Sequence, residues 1–209
     1  FQYHAYHQDN TSLENLMKSV GKHYFSFNDN ENTPLNFFSR VVKNCANLAA
    51  SYNIFGFVHG VLNTDNINVT GESFDYGPYR MMEKYNPEKI AAYFDHSGLY
   101  KFSNQVDAIF WNIQQLASIM TLFLEDKLII EELKKYIDLY NIEVLRLFFQ
   151  RLGLQPNSLD SNNQKLLQDF YEILIKSPYL YEEVYHDLRG GKEKVNFQNE
   201  LKQKYKNFN

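Results

Sequence analysis

The sequence is poor in cysteine, proline and glycine, and it has no long apolar run. Cys45 is the one cysteine among 209 residues, so no disulfide can form within the chain and a reducing compartment is expected. The five prolines and nine glycines form no linker, which predicts a single domain over residues 1–209. No apolar stretch approaches the roughly 20 residues of a membrane-spanning helix, and no targeting segment is visible. We therefore expect no membrane partner.

Basic residues are also not in excess. The net charge is −4, which gives no reason to expect nucleic acid or an anionic membrane surface as a partner. Hydrophobic residues make up 44% and aromatic residues 16% of the chain, enough to exclude disorder as its main state. The composition indicates a folded chain with one sizeable core.

The most informative stretch is residues 59–78, which carry His59, Asn66 and Asp75 in that order. Protein kinases use a catalytic loop of the form H-R-D-x-x-x-x-N followed by D-F-G, in which the Asn and the second Asp bind the metal ions. His59, Asn66 and Asp75 match three of these positions. Val61 stands where kinases place the catalytic aspartate, whereas a carboxylate lies next to the asparagine, as Asp65. The pattern predicts a kinase-like metal site without its usual base.

The spacing between Asn66 and Asp75 suits a hairpin. A two-residue turn at Thr70 and Gly71 would pair the two residues directly, and a glycine supplies the positive φ of such turns. Opposed residues have Cα atoms about 4.5–5.5 Å apart, so both side chains could bind one Mg²⁺, which completes its shell with water and phosphate oxygens. The alternative is a surface hairpin with polar residues at its base.

Two further residues of the loop have alternative roles. Asp65 can orient or deprotonate an acceptor hydroxyl, or it can simply accept hydrogen bonds from the loop backbone. His59 is expected to brace the loop by hydrogen bonds rather than to titrate during a reaction. The basic residues nearest in sequence, Arg80, Lys84 and Lys101, are expected on a solvated face, with phosphate contact as the alternative.

The remaining pattern is mainly helical. Residues 11–14 match a capping box that opens a helix to about His23, and Pro34 begins a long helix to Asn53. Residues 55–58 are typical of a short buried strand, and Asn86-Pro87 predicts a helix through Phe94. Apolar spacing predicts further helices over residues 109–124, 133–152, 166–174 and 181–188, with a charged tail from residue 192. The predicted fold class is mainly α with a small β-hairpin.

The segment from residue 56 to residue 66, G-F-V-H-G-V-L-N-T-D-N, together with D-Y-G-P at 75–78, resembles the selenoprotein O family. The likeness continues through residues 95–105 and 111–117. A weaker part at residues 149–154 extends it to about residue 190. Within these stretches Asp95 and His96 look structural or peptide-facing, and Trp111 and Tyr100 are expected to be core aromatics rather than a stacking platform. Leu99 stands where the family usually has arginine.

The resemblance implies a protein-kinase-like fold whose members transfer AMP, not phosphate, from ATP to Ser, Thr or Tyr hydroxyls of proteins. It implies Mg²⁺, or Mn²⁺ in its place, held by Asn66 and Asp75, with Asp65 serving the acceptor hydroxyl. It also implies a cytoplasmic location in bacteria and a mitochondrial one in eukaryotes. Nothing in the spacing itself separates AMP transfer from phosphoryl transfer.

The motifs that grip ATP phosphates in kinases, G-x-G-x-x-G and a V-A-I-K-like strand, do not occur. We therefore expect these residues to be a C-terminal lobe lacking its N-terminal lobe, with residues 1–10 as the segment between the lobes and residues 103–209 as a helical part. The redox tail of the family is also not recognisable. The chain alone is expected to be inactive or nearly so.

Three functional hypotheses remain open from the sequence. The first is the lobe of an AMP-transferring pseudokinase. The second is an ordinary phosphotransferase, against which Val61 argues. The third is a catalytically silent module that docks a partner through its kinase-like surface.

Overall fold

A computed structural model describes residues 1–155, 161–176, 178–189 and 203. This part of the chain is mainly helical with one small antiparallel sheet, which confirms the predicted class at that level. A 3₁₀ turn spans Phe102–Asn104. The helices are α1 (Gln2–Tyr6), α2 (Asn10–His23), α3 (Pro34–Phe55), α4 (Gln105–Met120), α5 (Asp126–Arg151), α6 (Ser161–Lys176) and α7 (Tyr181–Leu188), and the strands are β1 (Phe57–Val58) and β2 (Arg80–Met81).

Helix α3 is the central element, and its ends follow from sequence. The Thr33 hydroxyl accepts a hydrogen bond from the Asn36 N–H at 3.2 Å, and Pro34 occupies the first turn, where no N–H is needed. Gly56 ends the helix with φ +62°. A Cβ at Gly56 would lie 2.8 Å from the Cβ of Met82, so glycine is required there for space as well as for φ. The helix therefore ends immediately before the predicted catalytic loop.

Two clusters of buried side chains share α3. The first joins α2, α3, α4 and the start of α5, and the second joins the end of α3 with β1, α5, α6 and α7. Helix α3 packs mainly against α4 and α5. Representative members are Phe37, Val41 and Ile113 in the first cluster, and Ile54, Phe148 and Tyr181 in the second. Because α3 lies in both clusters, the loop that follows it is anchored to the whole core.

Strands β1 and β2 close the loop that carries the predicted site. Phe57 pairs with Met81, and Val58 pairs with Arg80. The strand predicted at residues 55–58 is thus shorter than expected, because Phe55 still belongs to α3 and Gly56 reverses the chain direction. Its partner is the segment after D-Y-G-P, so residues 59–79 form a loop whose two ends are held together.

Two local predictions of helix structure were wrong. No helix forms at residues 86–94: the Asn86 side chain accepts a hydrogen bond from Glu88 N–H at 2.9 Å, and this turn is not continued. Pro87 and Lys89 instead accept backbone bonds from Ser103 and Phe102. Helix α2 begins one residue before the predicted capping box, with Asp9 as its cap, accepting from the Ser12 N–H at 3.0 Å.

Other expectations have mixed outcomes. Trp111 is not a core residue, since 51% of it is exposed on the outer side of α4. Helix α7 has the bounds that were predicted for it. The charged tail from residue 192 lies outside the described residues, apart from residue 203. Within the described ranges, no helix has both the length and the apolar character needed to cross a bilayer.

Candidate active site

His59 is fully buried and fixes the start of the loop. Its backbone N–H donates to Oε1 of Gln105 at 2.9 Å, and Nε2 of that glutamine donates to the carbonyl of Phe57 at 2.9 Å. The ring Nε2 lies 3.0 Å from the carbonyl oxygen of Phe74, which can only accept, so Nε2 carries the proton. Nδ1 then accepts from the Val61 N–H at 3.4 Å. His59 therefore joins the catalytic loop to the D-Y-G segment.

The electrostatics of His59 agree with this bracing role. Burial lowers the pKa of His59 below its ordinary value of 6.5, and the Phe74 carbonyl and the charge of Asp75 only partly oppose that shift. The imidazole is therefore neutral at neutral pH, as its hydrogen bonds require.

Residues 63–66 form a tight turn within the loop of residues 59–79. The Asn66 N–H donates to the Asn63 carbonyl at 3.0 Å, and the Asn63 N–H donates to Oδ1 of Asn66 at 3.3 Å. Leu62, just before the turn, is tied to α4 because Nδ2 of Asn112 donates to its carbonyl at 2.7 Å. The turn that carries Asp65 and Asn66 is thus held from both sides.

The hairpin after Asn66 has a register that differs from the prediction. Ile67 bridges Ser73, and Asn68 N–H donates to the Glu72 carbonyl at 2.8 Å. The connection is a three-residue loop with Gly71 at φ +80°, not a two-residue turn. Asn66 consequently lies opposite Phe74, whose N–H donates to the Asn66 carbonyl at 3.1 Å, rather than opposite Asp75.

The side chains of Asn66 and Asp75 nevertheless meet. Nδ2 of Asn66 lies 3.4 Å from Oδ2 of Asp75. Asp75 adopts φ +64°, a left-handed conformation that is uncommon outside glycine. This backbone conformation allows the Asp75 side chain to reach Asn66. Asn66 is 4% exposed, whereas Asp75 is exposed, so the pair presents one buried amide and one solvent-facing carboxylate. The two side chains thus meet although the hairpin register differs by one residue from the predicted one, because the backbone at Asp75 is left-handed.

Asp65 is exposed at the rim of the turn. Its carboxylate accepts no hydrogen bond within the described part of the chain, so the backbone-bracing alternative is not what the geometry shows. The Tyr100 side chain lies near it: burial, and then the negative charges of Asp95 and Asp65, raise the pKa of the Tyr100 phenol. The Tyr100 hydroxyl donates to Oδ1 of Asn63, in the turn itself.

Asp95 positions Tyr100 and has the structural role expected of it. Its two carboxylate oxygens accept from the backbone N–H groups of Leu99 and Tyr100, each at 2.8 Å. Gly98 takes φ +70° within this turn, and its carbonyl accepts from Nδ2 of Asn104 at 2.9 Å. Leu99, at the position where arginine was expected, is 55% exposed.

Two of the three basic residues near the loop have other partners. The Lys101 ammonium lies 2.7 Å from Oε2 of Glu88, and the Arg80 guanidinium donates to the Tyr79 carbonyl at 3.0 Å. Lys84 is exposed. No group of three or more His, Cys, Asp or Glu side chains arranged to hold a metal occurs among the described residues. Asn66 and Asp75 are therefore a candidate pair of oxygen donors, unlike the four-ligand set of a structural zinc site.

Comparison with known proteins identifies the family. The family model described as protein adenylyltransferase SelO matches residues 1–208. The chain belongs to the SelO family. In this SelO-family chain, the matched range includes the predicted catalytic loop, the hairpin and all of the described helices.

Curated relatives agree with this assignment. The protein nucleotidyltransferase YdiU of Trichodesmium erythraeum is 40% identical over 153 residues, covering 73% of this chain and 32% of the relative. That of Synechocystis is 33% identical over 192 residues, covering 88% and 40%, and that of Pseudomonas aeruginosa UCBPP-PA14 is 35% identical over 173 residues, covering 82% and 35%. The SelO-family chain thus spans well under half the length of these relatives.

Sequence analysis missed three residues that hold the SelO-family loop in place: Tyr100, Gln105 and Asn112. Tyr100 packs against the first core cluster, as expected of a core aromatic, but its hydroxyl also contacts Asn63, which was not predicted. Gln105 and Asn112 are buried polar residues on α4, with 2% and 9% exposure. Polar residues on the apolar face of a predicted helix indicate a buried partner, and this was the observation that could have found them.

Proposed function

We propose that this chain carries the metal-binding and acceptor-activating residues of a protein adenylyltransferase with a protein-kinase-like arrangement. The substrates are ATP and the Ser, Thr or Tyr hydroxyls of proteins. The observation that supports this most directly is the approach of Asn66 and Asp75 to 3.4 Å in a chain of the SelO family. The kinase-like order of the elements, a long helix followed by the loop, the hairpin and D-Y-G, is consistent with it.

The donor set of Asn66 and Asp75 fits Mg²⁺, or Mn²⁺ in its place. Both are hard cations that prefer oxygen ligands, and Mg²⁺ keeps several waters and phosphate oxygens in its shell, so two protein side chains suffice. In the structure Oδ1 of Asn66 accepts from Asn63 while Nδ2 faces Asp75. Binding through both residues thus requires the Asn66 amide to turn its oxygen toward Asp75. The bound cation would neutralise charge on the phosphates of ATP.

We propose that Asp65 accepts the hydrogen bond and the proton of the acceptor hydroxyl. Its exposed carboxylate has no competing hydrogen bond within the described residues, so it is free to accept one from an incoming hydroxyl. It is adjacent in sequence to Asn66, which brings the hydroxyl close to the bound nucleotide. Its position on the turn differs from that of the kinase aspartate, which Val61 replaces.

The acceptor oxygen forms a bond to the α-phosphorus of ATP, and the bond between that phosphorus and the bridging oxygen to the β-phosphate breaks. The hydroxyl proton passes to Asp65, and pyrophosphate leaves. We propose that a further segment of the protein, of the kind that accounts for the greater length of the relatives, supplies cationic groups to the phosphates, since Lys101 and Arg80 are engaged elsewhere.

The experiment that tests the proposal uses the full-length gene product with Mg²⁺ and ATP labelled at either the α- or the γ-phosphate. Retention of α-label on protein, with no γ-label, is the expected result. Retention of γ-label alone would make the protein a phosphotransferase. No protein-bound label of either kind, from folded protein, would favour the silent docking module.

A further inference from the structure

A cavity of about 360 Å³ lies beside the turn that carries Asp65. Thr64 and Asp65 form part of its lining, the hairpin contributes Ile67 and Val69, and α4 contributes aliphatic side chains that include Leu116. Its volume falls within the range of about 300–1,000 Å³ that is typical of ligand pockets. Nothing in the mechanism above uses this space.

The charges of the lining argue against phosphate as the occupant. Asp65 and Cys45 are its only ionisable side chains among the described residues, and no lysine, arginine or histidine takes part. Burial raises the pKa of the Cys45 thiol to about 12, so that group is a neutral, apolar contact and not a nucleophile. The carboxylate at the rim disfavours a polyanion, and the aliphatic part of the lining favours an uncharged apolar group, although polar side chains such as Asn68, Asn112 and Gln115 also line the cavity.

We propose that this cavity binds an apolar side chain of the acceptor protein, next in the chain to the residue that receives AMP. This inference rests on the proposed function. The acceptor hydroxyl must come within about 2.6–3.2 Å of Asp65. An extended chain advances about 3.3–3.6 Å per residue, so a side chain one or two positions away reaches the cavity that shares Asp65 with the reaction site.

Two neighbouring glutamines on α4 offer a matched pair of variants. Gln115 lines the cavity and Gln114 does not, and both are exposed. Gln115→Trp is expected to fill the cavity, whereas Gln114→Trp places the same side chain on solvent-facing surface of the same helix. Ser118, which also lines the cavity and bonds only to the Gln115 carbonyl within α4, gives a second filling variant, Ser118→Trp.

The test measures α-label transfer by the full-length gene product to peptides that share one acceptor serine and differ only in the flanking residue: leucine, glutamine or lysine. We expect leucine to be favoured over glutamine by about tenfold or more in kcat/KM, the range that burial of an aliphatic side chain supplies. Gln115→Trp and Ser118→Trp should abolish this preference, and Gln114→Trp should keep it, with thermal unfolding unchanged in all three.

Three results would overturn the inference. Equal rates for the three flanking residues, with α-label still transferred to protein, would show that the cavity does not bind an acceptor side chain, and the proposed function would be unaffected. The same result is expected if another segment of the protein fills the cavity. A leucine preference that survives both filling variants would place the determinant elsewhere. Absence of α-label on any acceptor would contradict the proposed function, and this inference together with it.

Discussion

The Tyr100 hydroxyl donates a hydrogen bond to Oδ1 of Asn63, a residue 37 positions earlier in the chain. This bond ties the segment that follows D-Y-G to the turn that carries Asp65 and Asn66. Asp95 holds the other side of the same segment through two backbone N–H groups. The conformation of the loop therefore depends on Tyr100 and Asp95, which are distant from it in sequence and do not contact the proposed metal ligands.

Removal of the Tyr100 hydroxyl should slow AMP transfer without weakening ATP binding. Tyr100→Phe keeps the ring and deletes one hydrogen bond, which is worth about 0.5–1.5 kcal/mol. We expect kcat to fall by up to about tenfold in steady-state α-label transfer, with the KM for ATP unchanged. Tyr93→Phe is the matched control, because Tyr93 is 90% exposed. A change in KM alone, or equal effects in both variants, would contradict a positioning role for Tyr100.

Loss of the Asp95 carboxylate should destabilise the chain. Asp95→Ala leaves two N–H groups, those of Leu99 and Tyr100, without their acceptor in a part-buried turn. We expect the free energy of unfolding to fall by about 2–4 kcal/mol, since a hydrogen bond to a charged group contributes about 1.5–3 kcal/mol. Urea unfolding of Asp95→Ala and of the exposed-loop control Asp29→Ala measures the difference. A loss below about 0.5 kcal/mol, the usual effect of a surface substitution, would show that the turn does not need this side chain.

Gly71 should not tolerate a side chain. Its φ is +80°, and a Cβ there would lie 2.7 Å from the Cβ and the carbonyl oxygen of Asn44. Gly71→Ala is expected to lower the free energy of unfolding by about 2 kcal/mol or more, from left-handed strain and the clash with α3 combined. Gly77→Ala is the control, since nothing lies within 4 Å of a Cβ at Gly77. Equal stability of the two variants would argue against the three-residue loop described for the hairpin.

His59 should make stability depend on pH in a defined direction. Because burial lowers the folded-state pKa of His59 below 6.5, the unfolded chain takes up the proton first. The free energy of unfolding should therefore fall as the pH drops below about 6.5, and stop falling below the folded-state pKa. His59→Gln, which can still donate to the Phe74 carbonyl, should lose this component in denaturant titrations between about pH 7 and pH 5. The exposed-histidine control His7→Gln should keep it; a stability that rises on acidification would reverse the assignment.

The parts of the fold that sequence predicted well are those set by local chemistry. Pro34 begins α3 as predicted, because its fixed φ acts within the first turn of the helix. Gly56, which ends α3 in a left-handed conformation, was instead predicted to lie in the strand at residues 55–58. Asn86-Pro87 carries an equally clear local pattern, yet no helix forms, because backbone groups of Pro87 and Lys89 bond to residues 102 and 103. Local propensity cannot indicate such a partner, because residues 102 and 103 lie more than ten positions away in the chain.

For the candidate site, residue order was predictable and geometry was not. The approach of Asn66 to Asp75 was expected from a two-residue turn, but it arises from a three-residue loop and a left-handed Asp75. An uncommon φ at a non-glycine residue is imposed by its surroundings and has no sequence pattern. The same holds for Trp111: apolar spacing predicts that α4 has a buried face, but which flanking aromatic is covered depends on the neighbouring helices.

We propose that Asn66 and Asp75 together hold the metal ion of an AMP transfer. The most direct test measures protein-bound α-label per mole of full-length gene product for Asn66→Ala, Asp75→Ala and the exposed-loop control Asp29→Ala. We predict that either site variant, like removal of divalent cations by chelation, abolishes label while the protein stays folded by circular dichroism, and that Asp29→Ala retains label. Full α-label in a folded Asp75→Ala variant would contradict the account.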